Sequence, residues 1–404
     1  MLLVQQHIYK PSHKDYKTLD NICFLSKNLY NATLYAVRQY FFENKKYLSY
    51  FTVNKQFTYE DQVDYRMLPA KVSKMVQKEV ENNFKSFFAL LKNKTRKKNI
   101  PRYLPKDGRF ATTYTKQALS LVKEGYVKLS KTDIFIKTSI SKEQIQFVRI
   151  VPFKKHITVE IGYKVKEKQF INNDSYASID LGLNNLMTVT STSFKPFIIN
   201  GKPLKSINQY YNKQKAYYQS ILEKQNGKKT SNRLKFLSLK RNNKIKDYLH
   251  RTTTYLVNQL DSNHVTTLVV GYNKNWKQDI NLGKKNNQNF VNIPFYKLVN
   301  MLGYKCLLKG IKLVLQEESY TSKCSFLDKE EIKKHKNYLG KRVKRGLFKT
   351  SENIYINADV NGSYNILKKY LTKETKDIYN YINLVEVCST PLKVTLKSNF
   401  LLTS

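Results

Sequence analysis

The C-terminal half of the chain alternates strands and helices in an order that restricts the folds it can adopt. Three closely spaced strands are predicted over "YASIDLG", "LMTVTSTS" and "PFIIN", with turn-like breaks between them. The elements that follow are, in chain order, polar helices at 203–225 and 232–261, a buried strand at 265–271, a helix at 295–309, a strand at 311–317 and a last helix from about Val360. We therefore predict an α/β domain here.

Three strands, helix, strand, helix, strand, helix is the order of the RNase H-like fold. In that fold the first strand lies beside the fourth, and metal ligands sit at the ends of these strands. The predicted first strand ends in Asp180, whereas Gly271 stands at the end of the fourth, "VTTLVVG".

Asp180 and Asp359 are the two acidic residues with the most informative surroundings. Asp180 lies where an apolar strand ends in "SYASIDLGLNNLMTVTS", and Asp359 precedes the last predicted helix in "YINADVNGSYNIL". Carboxylate oxygens of this kind suit Mg²⁺. Two or three of them can hold metal ions that activate water and stabilise the leaving oxygen of a phosphodiester. The pattern indicates a nuclease; the alternative is that Asp359 only caps its helix.

The charge of the chain indicates a polyanionic partner. There are 72 Lys and Arg residues against 30 Asp and Glu, a formal net charge of +42, and the excess runs through the whole sequence. Such a protein binds nucleic acid with a steep salt dependence because neutralised phosphates release counterions. A ribosomal or chromatin-type scaffold, or simply a Lys-rich genome, would give the same charge. The 30 Tyr and 21 Phe weigh against those alternatives, since aromatic rings among lysines can stack on unpaired bases as well as fill a core, although most of them must be core.

Cysteine spacing and hydropathy indicate the compartment. The four cysteines, at positions 23, 306, 324 and 388, form no CxxC pair, which argues against a disulfide framework and a thiolate zinc site. No apolar run approaches the roughly 20 residues of a membrane span, and the N-terminus turns polar too soon for a secretory signal. We expect a cytoplasmic protein without a membrane partner.

The N-terminal half is predicted to combine helices with short strands. A strand covers 1–10, and helical spacing covers 17–44 and 71–92, where an apolar stripe from Val72 to Leu91 indicates core. From 110 to 166, β-rich segments with turn-like breaks suggest a small antiparallel barrel, to which the first strand can belong.

Three strings in the C-terminal half resemble one known family. "DLGLNNL", "ESYTSKCSFLD" and "NADVNGSYNIL" are similar to the RuvC-type nuclease domain of transposon-encoded TnpB proteins, relatives of the type V CRISPR effectors. The resemblance covers most of the chain, including "LPAKVSKMVQKEVENNFKSFF" in the N-terminal half. Asp180 matches the first RuvC aspartate of the family and Asp359 the last.

The resemblance also implies a domain arrangement. A wedge-like β-barrel would comprise 1–12 and 102–168, interrupted by a helical recognition lobe at 13–101. The RuvC-like nuclease domain would comprise 174–318 and 353–404, with a basic insert at 319–352 that contacts target nucleic acid.

The third acidic ligand departs from the usual family pattern. Most members carry a glutamate at the end of the fourth strand, where this chain has Gly271. A subgroup carries the glutamate on the next strand instead, in a segment similar to "EESYTSK" of this chain, which contains Glu317 and Glu318. Strand alternation places Glu317 on the face of Ile311, Leu313 and Leu315 and Glu318 on the opposite face, unless the strand ends there. The resemblance favours Glu318. Asp180, Glu318 and Asp359 would then bind Mg²⁺ or Mn²⁺, and their mutual repulsion without metal predicts a raised pKa for at least one.

The second departure is the absence of the family's zinc ribbon. The insert at 319–352 holds only Cys324 and His335 as zinc-type ligands, too few for a four-coordinate site, but ten Lys or Arg and four acids. We expect no zinc, and a basic lobe that contacts nucleic acid or, alternatively, is merely solvated.

The resemblance implies an RNA-guided DNA endonuclease. Its partners would be a guide RNA from the transposon end and double-stranded DNA carrying a short adjacent motif, with sequence read by base pairing. The chief alternative is a nuclease-inactive, RNA-guided DNA-binding protein, if Gly271 marks a lost ligand. A DDE-type transposase and a general RNA-binding scaffold are further alternatives, and the sequence leaves monomer or dimer open.

Overall fold

The computed structural model describes residues 1–92, 99–120, 125–153, 155–227, 229–273 and 293–396. These residues form two compact units, Met1–Lys166 and Glu167–Ser404. No helix in the described ranges is long and apolar enough to cross a bilayer.

The first unit inserts four helices between its first and second strands. Its elements are β1 (Leu2–Tyr9), α1 (Tyr16–Asn44), α2 (Tyr50–Tyr59), α3 (Val63–Arg66), α4 (Ala70–Leu91), β2 (Thr112–Thr115), a 3₁₀ turn (Lys116–Ala118), β3 (Leu119–Ser120), β4 (Tyr126–Leu129), β5 (Phe135–Lys137), β6 (Ile145–Phe153) and β7 (His156–Lys164). The predicted helices at 17–44 and 71–92 are confirmed as α1 and α4, and the stripe on α4 is core, with Val72, Val76, Val80 and Phe84 buried.

The strands of this unit form two antiparallel sheets. One has the order β1-β7-β6-β2 and the other β3-β4-β5. The first strand pairs with β7, as the sequence allowed, but the described strands do not close into the predicted barrel. The physical reason is that the chain leaves β2 through the 3₁₀ turn into the second sheet, so β1 and β2 remain the two edges of the first.

The second unit follows the predicted order of elements closely. Its elements are β8 (Tyr176–Leu181), β9 (Asn185–Ser191), β10 (Phe197–Asn200), α5 (Lys202–Asn226), α6 (Asn232–Ser262), β11 (Thr267–Gly271), α7 (Phe295–Lys309), β12 (Lys312–Gln316), β13 (Lys341–Lys344), β14 (Leu347–Lys349), β15 (Tyr355–Asn357), α8 (Ala358–Lys373), a 3₁₀ turn (Ile378–Asn380), α9 (Leu384–Val387) and β16 (Leu392–Val394).

A six-stranded sheet organises this unit, with the order β12-β11-β8-β9-β10-β16. Strands β8, β11 and β12 are parallel to one another, and β9 runs antiparallel to β8. The first strand therefore lies beside the fourth, as predicted, and three carboxyl ends meet at one edge. The sequence did not predict β16, which adds a parallel strand beside β10.

Both faces of this sheet are covered because its strands are apolar on both sides. Ile179 and Val270 pack with α6 and α7, whereas Tyr176 and Val269 pack with α8. Helix α8 is buried along most of its length and lies against β8 and β9. Its first turn therefore reaches the edge at which β8, β11 and β12 end.

The insert between β12 and α8 contains a three-stranded sheet, β13-β14-β15, and packs through Phe326 on aromatic rings of α8 and of the 3₁₀ turn that follows it. Phe326 stacks on Tyr364 at 4.9 Å and on Tyr379 at 5.1 Å between ring centroids. The thiol of Cys324 contacts the carbonyl oxygen of Glu331 at 3.5 Å, and His335 Nε2 contacts the same oxygen at 2.7 Å. Both candidate zinc ligands thus contact backbone oxygen.

A buried carboxylate cross-links the two ends of the loop that precedes β13. Glu330 is 5% exposed, and its side-chain oxygens accept hydrogen bonds from the backbone N–H groups of Ser325 at 2.7 Å and Leu339 at 3.0 Å. Charge-assisted bonds of this kind are stronger than neutral ones. Glu330 therefore holds the backbone at Ser325 and at Leu339 together.

Replacing Glu330 with alanine should destabilise the insert selectively. The change leaves two backbone donors without a partner, and we expect a loss of about 2–4 kcal/mol of unfolding free energy. Urea denaturation gives the free energy, and faster amide exchange confined to 319–352 would locate it. Glu331→Ala is the matched control, since the exposed side chain of this neighbour forms a surface ion pair with Lys333, and its loss should leave stability nearly unchanged. Equal stability of Glu330→Ala and the control would contradict the prediction.

Candidate active site

Asp180 occupies the carboxyl end of β8, in the middle of the six-stranded sheet. Val270 pairs with Ile179 on one side and with Leu315 on the other, so Asp180, Gly271 and Gln316 lie at the same level on adjacent strands. Gly362 of α8 allows close approach here, because a Cβ at that position would lie 3.1 Å from Asp180 Oδ2. The carboxylate is therefore enclosed between the sheet edge and α8.

Asp359 lies in the first turn of α8, where the helix dipole stabilises a negatively charged side chain. The helix cap is Asn357, whose side-chain oxygen accepts from the N–H groups of Asp359 and Val360 at 3.0 and 3.2 Å. The interpretation of Asp359 as only a cap is therefore wrong. Its carboxylate instead accepts a hydrogen bond of 2.6 Å from Asn185 Nδ2 and lies 3.4 Å from the Arg342 guanidinium.

Glu318 reaches the same edge from the turn that follows β12. That strand ends at Gln316, so the alternation expected for a continuing strand does not apply to either glutamate. Glu318 Oε2 lies over Gly271, only 2.7 Å from the place where a Cβ on Gly271 would stand. The glycine at the end of β11 thus leaves the space that the Glu318 carboxylate fills.

The Glu317 side chain contacts Lys369 rather than the other carboxylates. Its carboxylate accepts a hydrogen bond of 2.6 Å from Lys369 Nζ on α8 and another of 2.7 Å from the backbone N–H of Ser319. Burial opposes ionisation, but the bonds from Lys369 and Ser319 prevail and lower the pKa of Glu317 to about 2. Of the two candidate glutamates, the structure brings Glu318 to Asp180 and Glu317 to Lys369.

The carboxylates at this edge disfavour one another's charge. Burial, followed by the charges of Glu318 and Asp359, raises the pKa of Asp180 well above its ordinary value, and Arg342 opposes that rise. Burial, followed by the charge of Glu317, raises the pKa of Glu318 to about 7. Burial is thus the main cause of both raised pKa values, and the predicted repulsion among the three acids contributes to that of Asp180.

The chemistry of these side chains fits a hard divalent cation. Asp180, Glu318 and Asp359 are oxygen donors from three distant parts of the chain, and the positive charge of Arg342 already reduces their repulsion. Within the described residues, no three Asp, Glu, His or Cys side chains are grouped as ligands of one ion would be. Asp359 is held by Asn185 and Arg342, and Glu318 Oε1 accepts a hydrogen bond from Asn273 Nδ2 at 3.1 Å.

Four residues at this site were not predicted from the sequence as site residues. Asn185 stands inside the string "DLGLNNL", and Gly362 inside "NADVNGSYNIL", so both lay within recognised motifs. Arg342 is one of several cations in "GKRVKRGLFK", where spacing does not distinguish it. Asn273 follows β11 by two residues with no motif of its own. Only sheet pairing and the fold of the insert bring these residues to the carboxylates.

Two known protein families match consecutive parts of the chain. Residues 156–277, which include Asp180 and Gly271, match OrfB_IS605, described as a probable transposase. Residues 295–366, which include Glu318, Arg342 and Asp359, match the Cas12f1-like TNB domain. No curated protein matches the chain by sequence.

One solved structure extends the likeness to most of the chain. A Cas12f1 chain from a complex with sgRNA and target DNA, determined by cryo-EM, superposes with a TM-score of 0.51 at 15% identity, covering 87% of this chain and 82% of that one. A chain from a CRISPR-Cas12f ternary complex covers the same shares at 14% identity with a TM-score of 0.36. At this level of identity the first likeness shows a similar mixed α/β fold.

Proposed function

The chain is a TnpB-like relative of the type V CRISPR effectors, and from that premise we propose that it is an RNA-guided, metal-dependent DNA endonuclease encoded by an insertion sequence. The second unit would be a nuclease of RuvC type with an RNase H-like fold. The strand order, with β8 between β9 and β11 and three parallel strands ending at one edge, supports this assignment.

One observation carries the proposal: a carboxylate on β8, one after β12 and one on α8 lie at the same edge of the sheet, where Gly271 leaves space for the second of them. The charges of Glu318 and Asp359 raise the pKa of Asp180. A purely structural role would not require three acids to converge, since carboxylates that repel one another destabilise a fold. Convergence is explained when a cation offsets the repulsion.

We assign metal binding to Asp180, Glu318 and Asp359, with Mg²⁺ or Mn²⁺ as the expected ion. The bound ion would supply an activated water and stabilise the leaving oxygen of a phosphodiester. Asn185 orients Asp359 through its 2.6 Å hydrogen bond. Arg342, half-exposed and 3.4 Å from Asp359, is placed to bind the phosphate that is cleaved, since guanidinium groups match phosphate oxygens.

The expected partners are a guide RNA and a double-stranded DNA target. The net charge of +42 supports a polyanionic partner, and the similar Cas12f1 chain was solved with both kinds of nucleic acid. Exposed rings on the polar helices α5 and α6, such as Tyr210, Tyr217 and Phe236, stand among lysines and suit contact with bases and backbone. Base pairing with the guide would read the sequence, while basic surfaces hold the backbones.

We propose the following division of labour along the chain. Residues 1–12 and 102–168 form a wedge-like β domain, 13–101 a helical recognition lobe, and 174–318 with 353–404 the nuclease domain. The insert at 319–352 contacts target nucleic acid without a zinc ribbon. The match of 295–366 to the TNB domain and the Glu330 cross-link support this role for the insert.

Plasmid cleavage tests the proposed function. The protein is co-purified with RNA transcribed from its own flanking DNA and supplied with Mg²⁺ and a plasmid library of targets, with Asp180→Ala alongside. We expect the wild type to cut and the variant to be at least about 1,000-fold slower, which corresponds to roughly 4 kcal/mol of lost transition-state stabilisation.

Two other outcomes have clear meanings. If the wild type binds guide RNA and shifts the target on a gel but does not cut it, the protein is an RNA-guided DNA-binding protein rather than a nuclease. Absence of any bound RNA would overturn the guided function altogether. A zinc chelator should leave both binding and the melting temperature unchanged, because no zinc is expected in the insert.

A further inference from the structure

We propose that Asn273 is a positioning residue that holds Glu318 in the place left open by Gly271. The inference rests on the proposed function, since it concerns the metal-binding carboxylate of that site. It explains how a glutamate that follows β12 can serve at the end of β11. The proposed ligand comes from one strand and its support from the neighbouring one.

The contact between these two residues is reciprocal. Asn273 Nδ2 donates to Glu318 Oε1 at 3.1 Å, and the backbone N–H of Glu318 lies 3.4 Å from Asn273 Oδ1. One amide side chain thus contacts both the carboxylate and the backbone of the same residue. The pairing of β11 with β12 continues alongside, because the Tyr272 N–H donates to the Gln316 carbonyl at 2.8 Å.

Glu318 requires such support because it lies beyond the end of its strand. A glutamate side chain has several rotatable bonds and loses rotamer entropy when it is fixed. The backbone at Glu318 is held from the other side, since its carbonyl accepts a 2.8 Å bond from the Thr321 hydroxyl. Asn273 is the described side chain that donates to its carboxylate, and burial makes an unsupported carboxylate costly.

The adjacent glutamate provides the contrast. Lys369 and Ser319 hold Glu317 away from the site, while Asn273 holds Glu318 toward it. Two consecutive acids are therefore directed apart by different partners. Side chains that orient a metal ligand in this way typically account for 10–100-fold in metal affinity or activity.

Mn²⁺ binding to the RNA-free full-length protein, followed by EPR, tests the proposal without relying on cleavage. The variants are Asn273→Ala and Asn273→Leu, the second of which keeps the bulk and removes both hydrogen-bonding groups. We expect each to bind Mn²⁺ about 10–100-fold more weakly than the wild type. In the guided complex, the cleavage rate at saturating target should fall while target affinity is unchanged. Lys369→Gln, which removes the ion-pair partner of Glu317 but leaves its bond from the Ser319 N–H, is the matched control and should change Mn²⁺ affinity less than about twofold.

A double-mutant cycle distinguishes positioning from other roles. In a Glu318→Ala background, Asn273→Ala should weaken Mn²⁺ binding no further, because its effect passes through Glu318. Additive losses would show that Asn273 acts independently, for instance as a ligand itself, and would overturn the proposal. Wild-type Mn²⁺ affinity in both Asn273 variants would also overturn it. If Asp180→Ala and Glu318→Ala also bind Mn²⁺ normally, the proposed metal site itself fails, which is a separate result.

Discussion

Replacing Glu318 with alanine is expected to abolish DNA cleavage, whereas replacing Glu317 is expected to leave it nearly intact. The two residues are adjacent and chemically identical, so composition and net charge change equally in both variants. Glu318 Oε2 lies over Gly271 and its charge raises the pKa of Asp180, while Glu317 pairs with Lys369. We expect a loss of at least about 1,000-fold for Glu318→Ala and less than about threefold for Glu317→Ala.

The measurement is the single-turnover rate of cleavage of a guided target in Mg²⁺, with target binding measured in parallel. Target affinity should stay at the wild-type level in both variants, because neither glutamate needs to contact the nucleic acid backbone. A larger loss in Glu317→Ala than in Glu318→Ala would show that the turn after β12 rearranges in the complex and that the assignment is reversed. Equal cleavage rates for both variants would show that neither glutamate of this turn takes part in catalysis.

Adding a single methyl group at Gly271 is expected to lower cleavage by about 100-fold with little effect on folding. In Gly271→Ala the new Cβ would stand 2.7 Å from Glu318 Oε2 and 2.5 Å from Ile366 Cδ1, so both side chains must move. Both are ends of flexible side chains, and overpacking of this kind typically costs about 1–3 kcal/mol, which lowers stability without preventing folding. Displacement of a catalytic group by about 1 Å, by contrast, can reduce the rate about 100-fold.

Gly303→Ala is the matched control for this variant. A Cβ at Gly303, inside α7, meets no atom within 4 Å, and alanine is favoured over glycine in a helix by about 1 kcal/mol. We expect unchanged cleavage and a slightly raised melting temperature. Wild-type cleavage by Gly271→Ala would mean that Glu318 does not use the space above β11, and the explanation of the missing glutamate would be lost.

Local sequence patterns were sufficient to predict most of the strands and helices near the site. The apolar runs before Asp180 and Gly271 gave β8 and β11 to within a few residues, because a buried parallel strand is apolar on both faces. Helix α8 begins at Ala358 rather than near Val360, since Asn357 supplies the cap. The barrel was wrong because antiparallel patterning marks each strand but does not say which edges pair.

The sequence by itself singled out the two aspartates and determined the order of strands and helices around them, and its charge of +42 predicted a polyanionic partner. Only the tertiary structure decided between Glu317 and Glu318, since β12 ends one residue before them and the choice depends on Asn273 and Lys369. It alone brought Arg342 and Asn185 to Asp359. The physical reason is that strand and helix periods are local properties of the chain, whereas the surroundings of a carboxylate are set by residues that sheet pairing and helix packing bring from far along the sequence.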